Sequence, residues 1–114
     1  MNPLALLTDT ERETLVKALT FMGRTGRMPF PGELASLLGI VPSAARARVQ
    51  RLAQLGLIQR QGRRPPVLTL EGARAAELLW DLGLIPEEDR GDYVRALRII
   101  GARKEENRAG TAAG

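Results

Sequence analysis

Pro31-Gly32-Glu33-Leu34-Ala35-Ser36-Leu37-Leu38-Gly39-Ile40-Val41-Pro42-Ser43-Ala44-Ala45-Arg46-Ala47-Arg48-Val49-Gln50-Arg51-Leu52 is the stretch on which the fold turns. Pro31 suits the first turn of a helix, where its missing N–H leaves no bond unmade. Leu34, Ala35 and Leu38 then share one face, Gly39 can stop the helix, and Ile40 follows as an apolar plug. Pro42 starts a second helix, on which Ala45, Val49, Leu52 and Leu55 form the apolar stripe before Gly56 closes it. With that stripe inward, Ser43, Arg46, Ala47, Gln50, Arg51 and Gln54 lie on or near the opposite face, and Arg48 sits on a flank.

Outward from this pair, the upstream chain reads as one helix. Thr8 caps it, Glu11 completes a capping box, Leu15, Leu19 and Met22 recur on one face with Ala18 beside them, and the stretch 23–26 is expected to break it after about Met22. Met28-Pro29-Phe30 is expected to be a short strand-like piece, since the residue before a proline avoids helical geometry. Downstream, two β-capable runs at 57–61 and 67–70 flank Gly62-Arg63-Arg64-Pro65-Pro66, a hairpin tip carrying two arginines. Thr69 caps a further helix to about residue 82, inward at Ala75, Leu78, Leu79 and Leu82. After a break at 83–86, a last helix runs to about residue 104 with Tyr93, Val94, Leu97 and Ile100 as its stripe. The expected fold is mainly α with a small β-hairpin: one domain at 8–82, an additional C-terminal helix at 83–104, and a disordered tail at 105–114.

Composition narrows the chemistry. The 114 residues are 44% hydrophobic but only 4% aromatic, so the core must be aliphatic, and such a core favours helices. Cysteine and histidine are absent, which excludes disulfides, thiol nucleophiles, Ser-His-Asp triads and the usual zinc sites. No pair of residues is spaced for acid–base or nucleophilic work, so a binding protein without a cofactor is expected rather than an enzyme. Glu87, Glu88 and Asp89 read as a charged helix start, paired on the surface with Arg90, Arg95 and Arg98, and not as a metal site. Met1-Asn2-Pro3-Leu4 does not open a signal peptide, and no apolar run has membrane-spanning length, so no membrane association and a cytoplasmic location are expected.

Charge is unevenly placed. Between Glu33 and Glu71 there is no acidic residue, while Arg46, Arg48, Arg51, Arg60, Arg63 and Arg64 all fall there. That window carries +6; the rest, with 11 basic and 13 acidic residues, carries −2, giving the net +4. Such a split marks a surface for a polyanion.

The element order and several short motifs resemble winged helix-turn-helix DNA-binding domains. Gly26-Arg27-Met28-Pro29-Phe30-Pro31-Gly32-Glu33-Leu34-Ala35 with Leu38-Gly39-Ile40, and then Leu52-Ala53-Gln54-Leu55-Gly56-Leu57-Ile58, Arg60 and Gly62-Arg63-Arg64-Pro65, look like LexA-type repressor DNA-binding domains. Leu68-Thr69-Leu70-Glu71-Gly72 is more similar to the end of the wing in MarR-type and DtxR-type regulators. The likeness spans 8–82 and covers the DNA-reading part alone; DtxR-type metal sensing does not carry over to a chain without His or Cys. It implies a double-stranded DNA-binding transcriptional regulator, expected to be a repressor, with the helix at 42–55 in the major groove. Ser43, Arg46, Gln50 and Arg51 would face bases or nearby phosphates, while Arg48, Arg63 and Arg64 would neutralise the backbone. Val41 stands where such helices usually place a capping Ser or Thr, and Ala44 and Ala47 where polar residues are common. Backbone binding is therefore better supported than base reading.

A core of three helices and a hairpin does not evidently need a further helix, so Trp80, Tyr93, Leu97 and Ile100 are assigned to a homodimer contact. A two-fold dimer would space two reading helices about one DNA turn apart. The alternative is a winged-helix protein-interaction module that docks on RNA polymerase or another regulator.

Overall fold

The computed structural model describes residues 7–113, and side chains as far as residue 101. Among them, five helices and one hairpin follow in the order α1 (Asp9–Thr25), α2 (Pro31–Leu38), α3 (Pro42–Gln54), β1 (Ile58–Gln61), β2 (Arg64–Leu68), α4 (Leu70–Asp81), a 3₁₀ turn (Glu87–Asp89) and α5 (Arg90–Ala113). No described helix is long and apolar enough to cross a membrane.

Each helix starts where local chemistry directs it. Thr8 Oγ1 accepts from the Glu11 N–H (3.2 Å), and Glu11 Oε2 accepts from the Thr8 N–H (3.0 Å), closing the expected capping box on α1. Pro31 and Pro42 occupy the first turns of α2 and α3. Thr69 caps α4 by accepting from the Gly72 N–H at 3.0 Å.

α1 is the centre of the molecule. Leu15, Leu19 and Met22 face the core, and Val16, Ala18, Thr14 and Thr20 are buried as well, so α1 is enclosed on most of its circumference. α2 and α3 pack on it through Leu34, Ala35, Ala45, Val49 and Leu52, and α4 closes the core with Ala73, Ala75, Ala76 and Leu79.

The largest departure from expectation is α5. It packs along α1 and is part of the monomer core, with Tyr93, Ala96 and Ile100 buried. The two helices approach closely at Gly23, where a Cβ would sit 1.8 Å from the Asp92 carbonyl oxygen. Two ion pairs join the 3₁₀ turn and α5 to α1: Lys17 to the buried Asp89 (2.9 Å) and Arg24 to Asp92 (2.6 Å). Asp89, expected to pair on the surface of its own helix, instead reaches α1. The α5 backbone continues past residue 104, where the sequence places the helix end, to Ala113; Gly114 lies outside the described residues.

Three further boundaries differ. α1 runs on through Gly23 to Thr25 and stops at Gly26, where φ is +85, so the expected break at 23–26 falls to its last glycine alone. Among the described residues Met28–Phe30 pairs with no strand, and the sheet has two strands; Pro29 lacks the N–H that a ladder would require. The hairpin turn is Gly62-Arg63, shorter than the expected five-residue tip, so Arg64, Pro65 and Pro66 belong to β2. A free edge spares only one of two adjacent prolines, since successive backbone N positions alternate in direction; the other is accommodated at the irregularity between Gln59 and Gln61, where the ladder is broken opposite Pro65-Pro66. Gly62 has φ +63, the left-handed start of a tight hairpin turn that only glycine adopts without strain.

Candidate nucleic-acid interface

The position of α3 is set by α1 and α2. Arg27 lies over the rings of Phe21 (5.1 Å) and Phe30 (5.3 Å) and forms a two-pronged pair with Glu33 at 2.8 and 2.9 Å. Glu33 Oε1 also accepts from the Phe30 N–H at the start of α2 (3.0 Å). The Arg27 guanidinium, helped by that N–H, holds the Glu33 carboxyl below the usual carboxylate range. The charge expected to serve a helix start thus serves the entry to α2. The chain then turns through Gly39, Ile40 and Val41 into α3, whose N-cap, Val41, makes no side-chain bond and is 63% exposed.

On α3, Ala45, Val49 and Leu52 face the core as expected, which leaves Ser43, Arg46, Ala47 and Gln50 on the exposed face. Arg51 and Arg48 turn toward α1. Arg51 Nε donates to Glu11 Oε1 at 3.0 Å, and half-buried Arg48 reaches Thr14 Oγ1 at 3.5 Å. The Glu11 carboxyl lies below its ordinary range because the Thr8 N–H donates to it, with Arg51 adding to the effect against partial burial. Arg51 is therefore a tie between α3 and α1, its charge offset by Glu11, and not a free group of the outer face.

The hairpin is tied at its base. Thr69 Oγ1 donates to the Gly56 carbonyl oxygen (2.6 Å), and the Thr69 N–H donates to that of Leu57 (3.1 Å). One threonine thus joins the end of α3, the hairpin and the start of α4. Beside it, Gly72 lies so close to the hairpin base that a Cβ would sit 2.0 Å from the Leu57 oxygen. Beyond that base, Arg60, Arg63 and Arg64 are exposed.

Five of the six arginines in the acid-free window, Arg46, Arg48, Arg60, Arg63 and Arg64, have no carboxylate partner among the described residues, the exception being Arg51. By contrast, Arg12, Arg24, Arg27, Arg74 and Arg95 are all paired, Arg12 with Asp9 and Arg74 with Glu71 on their own helices. Arg60 is not among the contact residues expected from the sequence. The signal for it is present there in its place within the acid-free window; strand alternation alone would set it on the face of Ile58. The structure places it in the exposed half of β1, beside an irregularity between Gln59 and Gln61.

The residues assigned to dimerisation divide. Tyr93 is fully buried, and its hydroxyl donates to the Ala76 carbonyl oxygen at 2.6 Å; burial pushes the phenol above its ordinary range. Ile100 is also buried and Leu97 half-buried, so Tyr93 and Ile100 hold the monomer together and are not free to face a partner. Trp80 stacks on Tyr93, ring centroids 6.1 Å apart and planes 9° from parallel, yet stays 36% exposed. Leu82, expected inward, is 58% exposed, and Leu84 44%. α4 stops at Asp81, so Leu82 lies past the last core-facing turn, and Ile85 fills the core in its place.

The chain matches no protein-family model, no curated protein and no solved structure.

Proposed function

We propose that this chain is a winged helix-turn-helix protein that binds double-stranded DNA and acts as a transcriptional repressor. In this reading α3 enters the major groove with Ser43, Arg46 and Gln50 toward the bases, and Ala47 against them. The hairpin is the wing, and Arg60, Arg63 and Arg64 lie along the adjacent backbone or minor groove. The carrying observation is the set of arginines without carboxylate partners on α3 and the hairpin, in a chain that pairs most of its other described cations. A cation already paired must surrender its partner to meet a phosphate, whereas these need not. Arg51 moves from base reading to holding α3 in place.

The homodimer is proposed through Trp80, Leu82 and Leu84, the exposed apolar residues at the end of α4, in place of the buried Tyr93 and Ile100. The test is duplex binding across a salt series. A protein that neutralises phosphates loses affinity linearly in log salt, by about 0.9 log unit of affinity per log unit of salt for each contact. Salt-sensitive binding that weakens in R63A/R64A supports the reading; retention of full affinity and slope by that variant removes the wing from it.

A further inference from the structure

We propose that the groove between the hairpin and the start of α2 binds a small organic phosphate bearing a planar ring, of the nucleoside monophosphate type. The groove encloses about 270 Å³. Small-molecule sites begin at roughly 300 Å³, which limits the occupant to one compact molecule. The hairpin contributes Arg60, Arg63, Arg64 and Pro66 to its lining, and Phe30 and Pro31 at the start of α2 with Val49 of α3 contribute the rest. No acidic residue lines it, and none of its three arginines has a carboxylate partner among the described residues. Glu33, nearby at the start of α2, is engaged by Arg27 and the Phe30 N–H.

The charged and the apolar lining residues ask for different chemistry in one ligand. Guanidinium groups recognise a phosphate through paired N–H donors. The Phe30 ring, 36% exposed, offers a flat apolar surface, and Arg27 lying over it at 5.3 Å helps hold its orientation. An inorganic anion would leave the apolar residues uncovered, and an uncharged ring would leave the arginines unmet. The site is separate from the outer face of α3, since Ser43, Arg46 and Gln50 do not line it. The hairpin arginines are common to both, so this ligand competes with duplex DNA; that consequence alone rests on the DNA reading.

The test is a titration of the ¹⁵N-labelled full chain with adenosine 5′-monophosphate at constant ionic strength, followed by amide shifts. Saturating shifts confined to residues near 30, 49 and 60–66 are expected, with adenosine alone and inorganic phosphate alone each binding more weakly. R60A, whose retained spectrum reports its folding, should bind about tenfold or more weakly, the loss of one charge-assisted contact. R46A should keep the nucleotide affinity while losing duplex affinity. Shifts that fail to saturate, that chloride at equal ionic strength reproduces, or that R60A leaves unchanged overturn the proposal. Nucleotide binding without duplex binding would retain the groove and reject the DNA reading, and the converse would do the reverse.

Discussion

Replacing Gly72 by alanine sets two effects of opposite sign against each other, and the structure says which wins. Within a helix, Gly to Ala gains up to about 1 kcal/mol from reduced backbone freedom in the unfolded chain, and less in the first turn, where Gly72 lies. Against this, the new Cβ would stand 2.0 Å from the Leu57 carbonyl oxygen and 2.7 Å from Leu68 Cδ1. Reaching even a strained 3.0 Å requires α4 and the hairpin base to separate by 1.0 Å, and the Leu57 oxygen belongs to backbone that cannot rotate away. Overpacking of this kind costs about 1–3 kcal/mol. The same movement pulls on the Thr69 cap and its bond to Leu57, worth about 1 kcal/mol more. The net expectation for G72A is a loss of about 2–3 kcal/mol, roughly 10 °C in Tm for a domain of this size. Gly91 is the control: it lies early in α5, and a Cβ added there would meet nothing within 4 Å. G91A, also in a first turn, should therefore be neutral or stabilising by less than about 1 kcal/mol. Thermal and urea melts followed by circular dichroism measure both. A G72A protein as stable as the parent would refute the close packing of α4 on the hairpin.

Other expectations follow from the same contacts. Y93F keeps the stack on Trp80 but loses the hydrogen bond to the Ala76 oxygen, so urea melts should show a loss of about 1 kcal/mol; an unchanged midpoint would mean that the hydroxyl contributes nothing. Glu11 and Glu33 have folded pKa values below their unfolded ones, so their contribution is complete above the ordinary carboxylate range and is lost as pH falls through the folded values. Stability should hold from neutral pH to about 5 and fall below about 4, and E11Q/E33Q should flatten that acid limb; an equally steep acid limb in the variant would assign the loss to other carboxylates. In sedimentation at micromolar concentration, the parent should be a dimer and L82N/L84N a monomer. A monomeric parent would remove the dimer and leave the exposed leucines without that role.

Much of the fold is legible in the sequence because its signals are local. Thr8 and Thr69 cap helices where the sequence places them, Pro31 and Pro42 start two more, and the spacing of Ala45, Val49 and Leu52 identifies the inner face of α3. What is not legible depends on residues distant in sequence. Nothing near Asp89 shows that it will be buried against Lys17, and nothing near Arg51 shows that Glu11 will hold it. A stripe such as Tyr93 and Ile100 reads alike whether it faces its own chain or a partner; only the packing of α5 along α1 decides. The hairpin tip misleads for a related reason. Pro65-Pro66 reads locally as a turn, yet a free strand edge accepts one and the irregularity in the facing strand the other. For the candidate site, the acid-free window marks the arginines as a set, but not which of them are left without a partner.

Binding of a labelled random duplex, followed by fluorescence anisotropy between about 50 and 200 mM salt, bears directly on the proposal that these unpaired arginines meet DNA phosphates. The parent should lose affinity steeply as salt rises, and R63A/R64A should bind more weakly with a log–log slope shallower by about 2 per chain. Absence of salt-sensitive binding by the parent, or an identical slope in the variant, would contradict it.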